Sequence, residues 1–79
     1  MNFKMLLTFD RNVYGNLLAE VQPQVITSEE ENDRYLAIVE RLMAEKNRTP
    51  EQNALLQLLV TLMEDFEDKH YPLDFEHIY

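Results

Sequence analysis

The chain has no cysteine, and only one of its 79 residues is glycine. Without cysteine no disulfide can stabilise a small fold, and a metal site would have to be built from histidine, aspartate and glutamate. The single glycine excludes a glycine-rich phosphate-binding loop. Together with an apolar content of 46%, it favours a folded, helix-rich chain over a disordered one.

Basic residues are also scarce, with seven lysines and arginines against 15 aspartates and glutamates, a net charge of −8. A chain this acidic is repelled by phosphate backbones and anionic membranes, so we expect neither direct nucleic-acid binding by this chain alone nor a membrane partner. A basic protein is the better partner on electrostatic grounds. The apolar start, residues 1–9, is too short for a signal peptide and lacks a cleavage site, which predicts a cytoplasmic protein.

Start and stop signals predict a single helical domain over residues 1–79. Asp10 can cap a first helix that Pro23 ends, and Thr27 or Ser28 can cap a second. Thr49 and Gln52 form a capping box at the start of a third. The expected fold is an all-α, small three-helix bundle with an extended N-terminal arm. Its parts are the arm (1–9), helices near 10–22, 28–46 and 50–70, and a tail (71–79).

The third helix carries the broadest apolar arc and is predicted to pack between the other two. Leu55, Leu59, Leu62 and Phe66 fall within about 60° of one another on a helical wheel. Further apolar residues widen the arc to roughly 200°, so its edge could also belong to a second chain. The widening residues are Leu56, Leu58, Val60 and Met63.

The first two helices show narrower apolar stripes. The stripes are Tyr14, Leu17, Leu18 and Val21 on the first helix, and Tyr35, Ile38, Val39, Leu42 and Met43 on the second. Gly15 borders the first stripe, which suggests close helix packing. Glu30 and Arg34 are spaced as a favourable i, i+4 ion pair.

Phe3, Met5, Leu7 and Phe9 alternate with other residues, which is typical of an extended arm or short strand. Such a segment is not stable alone and must lie on the helices or pair with another chain's edge. A chain of this size buries only about 60–65% of its unfolded surface, so its stability is marginal. The small size and the apolar arm and tail together predict a homodimer.

A second acidic run, Glu64, Asp65, Glu67 and Asp68, lies near the C-terminus of the third helix, where the helix dipole disfavours it. Only Lys69 is placed to offset it, at i+4 from Asp65. Because this position lowers the stability of the helix, the acidic run indicates a surface for a basic partner. A simple solvated face is the alternative.

Clustered carboxylates also raise the alternative of a magnesium-dependent, all-helical nucleotide pyrophosphohydrolase. That pattern requires a third carboxylate where Arg34 stands and an aspartate where Glu67 stands. A metal site built from His70, Asp74, Glu76 and His77 is a further alternative. Neither pattern is complete, so the sequence predicts no enzyme, with no catalytic, cofactor-binding or metal-binding residues.

A series of residues in a fixed order resembles the N-terminal region of HigA-type antitoxins, transcription regulators that carry an Xre/Cro-type helix-turn-helix domain. The likeness spans roughly residues 7–73. It rests on Val13 to Leu18, Pro23, Ile26, Glu29 to Asn32, Tyr35 to Met43, Thr49 to Glu51 and Glu64 to Pro72. In that family the helix-turn-helix domain follows the Tyr-Pro pair, whereas this chain stops seven residues after Pro72. Base-reading residues therefore have no counterpart here.

The resemblance implies an antitoxin-like module of a toxin–antitoxin system, linked to transcription regulation. It would self-associate and would bind and neutralise a small basic ribonuclease toxin of the RelE/HigB type. The partner-binding residues predicted with it are Glu64, Asp65, Glu67, Asp68, Phe3, Met5, Leu7 and Phe9. The alternatives are a dimerisation remnant of such a regulator without a toxin partner and, third, the pyrophosphohydrolase.

Overall fold

The computed structural model describes residues 9–70, which form three α-helices and no strand. The helices are α1 (Arg11–Val21), α2 (Glu29–Ala44) and α3 (Pro50–His70). They confirm the predicted all-α three-helix fold, with boundaries within two residues of those expected. The tail and all of the predicted arm except Phe9 lie outside the described residues.

Helix α3 is the centre of the bundle, as predicted. Both α1 and α2 pack on α3, while they barely touch each other. Leu55, Leu59 and Phe66 are at most 2% exposed, whereas Leu62 is half-buried. The buried core is completed by Val21, Ile26, Tyr35 and Val39. No helix within residues 9–70 combines the length and apolar character needed to cross a membrane.

The predicted capping residues begin all three helices. The Asp10 carboxylate accepts hydrogen bonds from the N–H groups two and three residues on, at 2.8 and 3.3 Å. Ser28, and not Thr27, caps α2, because its hydroxyl accepts the Glu31 N–H at 3.1 Å. The α3 capping box is complete, with Gln52 N–H to Thr49 Oγ1 at 3.1 Å and Thr49 N–H to Gln52 Oε1 at 2.9 Å.

The segment between α1 and α2 is fixed by a buried tyrosine. Gln22 takes left-handed geometry (φ 51°) and donates its N–H to the Leu18 carbonyl at 2.6 Å, which ends α1. The fully buried Tyr35 hydroxyl then accepts the Gln24 N–H at 2.8 Å and donates to the Gln24 carbonyl at 3.2 Å. This pair of bonds holds the connecting segment against α2.

Arg48 joins the end of α2 to the start of α3. Its Nη1 donates to the carbonyls of Leu42 and Glu45 at 3.1 and 3.2 Å, and its Nε donates to Asn53 Oδ1 at 2.8 Å. A charged donor is well suited to the free carbonyls at a helix C-terminus. Helix α2 therefore ends at Ala44, two residues before the predicted boundary, because Glu45 is already extended.

Two predictions for α2 are wrong. Met43, predicted as part of the buried stripe, is 64% exposed, because it lies about 80° around the helix from the buried Tyr35. Within the described chain Glu30 and Arg34 form no ion pair. Arg34 instead donates from Nη2 to the carbonyl of Val21, the last residue of α1, at 3.3 Å, and its guanidinium carbon lies 5.0 Å from the ring centroid of the adjacent Tyr35.

Gly15 does not serve close helix packing, so that prediction is also wrong. The residue is exposed, and a Cβ added to it would meet no atom within 4 Å. Replacing Gly15 with Ala should therefore raise the free energy of unfolding by about 0.5–1 kcal/mol, because alanine loses less backbone entropy in a helix. Urea denaturation would measure this as a higher midpoint at unchanged slope.

The matched control is Ala19→Gly, at an exposed position one turn further along α1. It should lower the unfolding free energy by a similar amount. A destabilising effect of Gly15→Ala would show that the glycine has a structural role in this helix.

Candidate functional site

Three of the four residues in the predicted acidic run of α3 are exposed, and they are unpaired within the described residues. Glu64, Glu67 and Asp68 are exposed and lie within about 100° of one another around the helix. None of the three forms an ion pair or side-chain hydrogen bond with another residue in the described part of the chain. These three residues, here called the acidic face, therefore carry unpaired negative charge toward solvent.

Asp65 differs from the acidic face in its burial and in its partner. It is half-buried and forms an ion pair with Lys69 at 3.3 Å, although it lies only about 60° around the helix from Asp68. This confirms the predicted i, i+4 pair, which at such exposure contributes only about 0.3–0.5 kcal/mol. Lys69 consequently neutralises Asp65 and leaves the acidic face uncompensated.

The position of the acidic face on α3 is locally unfavourable. Glu67 and Asp68 occupy the last turn, where the free carbonyls already carry partial negative charge. Further back the same side of the helix is neutral and polar, with Thr61 donating its hydroxyl to the Gln57 carbonyl at 2.9 Å. An external cation would relieve the crowding of negative charge at this end.

Of the predicted arm residues, Phe3, Met5 and Leu7 lie outside the described residues, and only Phe9 can be placed. Phe9 is 36% exposed, and its ring centroid lies 5.5 Å from that of Tyr14 on α1.

A buried carboxylate fixes the chain where the arm joins α1. The Asp10 N–H donates to the carboxylate of Glu51, which is 5% exposed in the first turn of α3. Sequence reasoning did not find this contact. The one available signal was that Glu51 lies about 40° from Leu55 on the helical wheel, inside the apolar arc. This contact places Asp10, the residue that follows the predicted arm, beside α3.

No group of three or more metal-ligating side chains comes together within residues 9–70. The Glu31 carboxylate, part of the pyrophosphohydrolase alternative, accepts a hydrogen bond from Gln24 Nε2 at 3.2 Å. Of the four residues in the histidine-based alternative, His70 alone is described. It is exposed, and its ring centroid lies 4.2 Å from that of Phe66.

A groove of about 590 Å³ lies between α1 and α2, where these helices barely touch. Its floor is Leu55 of α3, and Leu17 and Ile38 contribute to its apolar walls. Four charged residues line its edges, namely Glu20, Arg34, Arg41 and Glu45. This groove was not predicted from the sequence, although Arg34, Arg41 and Glu45 follow helical spacing beside Ile38 of the predicted buried stripe.

These two surfaces, the acidic face and the groove, are the candidate functional sites of the described chain. Comparison with protein-family models, curated proteins and solved structures found no match. Function must therefore be inferred from the chain's own residues.

Proposed function

We propose that this chain is an antitoxin-like helical module that binds and neutralises a small basic ribonuclease toxin of the RelE/HigB type. It acts without catalysis, associates with itself and contributes to transcription regulation through the complex it forms. The observation that supports this proposal is the acidic face, with three unpaired carboxylates on one side of α3. The resemblance to HigA-type antitoxins supplies the class of partner.

The mechanism follows from what a ribonuclease needs to hold RNA. Lysine and arginine side chains bind the phosphate backbone, so the substrate-binding surface of a small ribonuclease is cationic. Carboxylates at Glu64, Glu67 and Asp68 would occupy the same cations and would exclude RNA by competition. Because the acidic face is exposed, its attraction acts mainly on the rate of encounter and weakens as salt is added.

The arm would supply a second contact in this proposal. Phe3, Met5, Leu7 and Phe9 alternate as a strand does, and an extended segment can add to an exposed sheet edge of a partner. Main-chain hydrogen bonds would then add affinity that salt does not screen. The contact between Asp10 and Glu51 holds the residue that follows this segment beside α3.

The second candidate function is a dimerisation module without a toxin partner. The groove favours it, because its apolar wall residues Leu17 and Ile38 are only half-buried in a single chain. The two candidates differ in their partners, since the second requires only another copy of this chain.

Charge reversal on the acidic face tests the toxin-binding proposal. The proposal expects a basic ribonuclease of the RelE/HigB type in a neighbouring reading frame. The variant E64K/D68K should associate severalfold more slowly with that ribonuclease, because steering is lost. The wild-type rate should also fall as salt is added, whereas the variant's rate should change little. Stopped-flow fluorescence measures both rates, and co-purification establishes that the complex forms.

The matched control is D33K/E40K, which changes the net charge equally at two exposed positions of α2. It should retain most of the wild-type association rate. Equal slowing by both variants would mean that net charge alone matters and that the acidic face is an ordinary solvated surface. Failure of the pair to co-purify would contradict the toxin-binding proposal itself.

A further inference from the structure

Helix α1 is held less firmly along its length than the other two helices. Val21, at its C-terminus, is its one buried residue, whereas α2 has two buried residues and α3 has four. Tyr14, Leu17 and Leu18 are half-buried against the core, and the rest of α1 is exposed. Because α1 barely touches α2, its attachment depends mainly on α3 and on the contacts at its two ends.

The C-terminal end of α1 is fixed to α2. The Val21 carbonyl accepts a hydrogen bond from Arg34 Nη2 at 3.3 Å. Three residues further on, the Gln24 N–H and carbonyl both bond to the buried Tyr35 hydroxyl, at 2.8 and 3.2 Å. Both side chains belong to α2, so this end is attached through main-chain groups on either side of Gln22.

The N-terminal end of α1 depends on a single carboxylate of α3. Asp10 is the N-cap of α1, and its own N–H donates to the buried Glu51. In a capping box this N–H is accepted by a side chain three residues further along the same helix. That position in α1 is Val13, which has no acceptor. Glu51 therefore completes the cap from another helix, and within residues 9–70 no other hydrogen bond joins the start of α1 to α3.

A strained joint lies at the fixed end of α1. Gln22 has a φ of 51°, the one positive φ among the described residues, and left-handed geometry is unfavourable for a residue other than glycine. Pro23 follows, and helical geometry is disfavoured before proline. Residues at the ends of helices commonly serve as hinges, since they can change φ and ψ without breaking a helix. Rotation at Gln22 would move α1 and leave the bonds between Gln24 and Tyr35 in place.

From the different attachment of its two ends, we propose that α1 opens as a unit away from α3 while α2 and α3 stay packed. Gln22 and Pro23 form the hinge, and the contact between Asp10 and Glu51 holds the closed form. Opening exposes Leu55 of α3, which lines the groove beside α1 and is 2% exposed in the closed form. This inference goes beyond the proposed function, because it involves neither the acidic face nor a partner.

Amide hydrogen exchange at a series of urea concentrations tests the opening. An isolated helix of 11 residues is not stable in water, so the N–H groups of α1 exchange when it leaves α3. In the wild type, Leu17 and Leu18 should share one free energy of opening, lower than that of Val39 and Leu59 in the core. Their exchange should also depend less on urea, because less surface is exposed. Equal values for all four amides would show that α1 unfolds only with the whole chain and would overturn the proposal.

Replacing Glu51 with Ala tests the contact that holds the closed form. The variant leaves the Asp10 N–H without its partner, so exchange at Leu17 and Leu18 should be about 10–100 times faster. Core amides should accelerate at least as much, because their exchange starts from the same closed form. Glu51 also stabilises the start of α3, but the closed and open forms share that effect, so it does not enter the rate at α1.

Two further variants control for this substitution. Glu51→Gln keeps an oxygen acceptor at the same place and should accelerate exchange in α1 less than Glu51→Ala does. Glu40→Ala removes an exposed carboxylate of α2 and should leave exchange in α1 unchanged. Unchanged exchange in α1 for both Glu51 variants would overturn the role of this contact.

Replacing Tyr35 with Phe separates the opening of α1 from complete unfolding. The hydrogen bonds between Gln24 and Tyr35 are present in both the closed and the open form and are lost only when the whole chain unfolds. The variant should therefore accelerate exchange at the core amides and leave Leu17 and Leu18 unchanged. Equal acceleration in α1 and in the core would overturn the hinge at Gln22. None of these outcomes depends on the toxin-binding proposal.

Discussion

Replacing Leu59 with Ala should lower the free energy of unfolding by about 2–5 kcal/mol, which is enough to unfold a domain of this size. Leu59 is fully buried at the middle of α3, the helix on which both α1 and α2 pack. The substitution removes apolar area and leaves a cavity that three helices line. Far-UV circular dichroism during urea titration would measure the loss.

The control for Leu59→Ala is Leu58→Ala, the same chemical change one position earlier in the same helix. Leu58 is half-buried and does not belong to the residues that pack on the core. We expect its loss to be clearly smaller, because less area is exposed and no cavity is enclosed. Equal losses would contradict the position of Leu59 at the centre of the core. Both measurements belong at low protein concentration, where association adds least to stability.

Replacing Tyr35 with Phe should cost about 1–3 kcal/mol, although it removes only one oxygen atom. The hydroxyl is the partner of both the N–H and the carbonyl of Gln24, and phenylalanine leaves both without that partner. The ring remains buried, so the loss reports these hydrogen bonds and not packing. Thermal or urea denaturation measures the change in stability, and hydrogen exchange at the Gln24 amide measures the local opening.

Tyr14→Phe is the matched control for Tyr35→Phe. Tyr14 is half-buried on α1, and its hydroxyl makes no hydrogen bond with another residue of the described chain. This variant should stay within about 0.5 kcal/mol of the wild type. Faster exchange at Gln24 in Tyr35→Phe alone would support the assigned role, and unchanged exchange would contradict it.

The features that were predicted correctly from sequence depend on local spacing. A capping side chain reaches N–H groups two or three residues away, so Asp10, the pair Thr27 and Ser28, and Thr49 marked the helix starts without knowledge of the fold. The arc around Leu59 likewise follows from helical periodicity and predicted the central position of α3. The Asp65–Lys69 pair was found for the same reason.

The features that were missed or wrongly predicted depend on how the helices are placed. Arg48, Tyr35 and Glu51 act through partners in other segments, and no periodic pattern identifies those partners. Met43 lies only about 40° around the helix from Val39, which led to its prediction as a buried residue, but it lies about 80° from Tyr35 and is 64% exposed. Arg34 has the spacing of an ion pair with Glu30 but contacts the end of α1 instead.

The two candidate sites differ in the same way in how far the sequence predicted them. The residues of the acidic run were identified from their position near a helix C-terminus, and the ion pair with Lys69 distinguishes Asp65 from Glu64, Glu67 and Asp68. The groove depends on the gap between α1 and α2, which no pattern in either helix reveals. In the sequence, the lining residues on the α2 side form only a stripe of mixed charge.

The helix that holds the bundle together is the last of the three to be synthesised. Until α3 is made, α1 and α2 have no common surface to pack on, because they barely touch each other. Synthesis proceeds at about 5–20 residues per second, and the apolar stripes of α1 and α2 stay exposed until the chain from Pro50 to His70 has been made. Folding is therefore delayed until α3 has emerged from the ribosome. A nascent chain that stops before Pro50 has no stable fold and is open to proteases. Only a chain in which all three helices have been synthesised can fold.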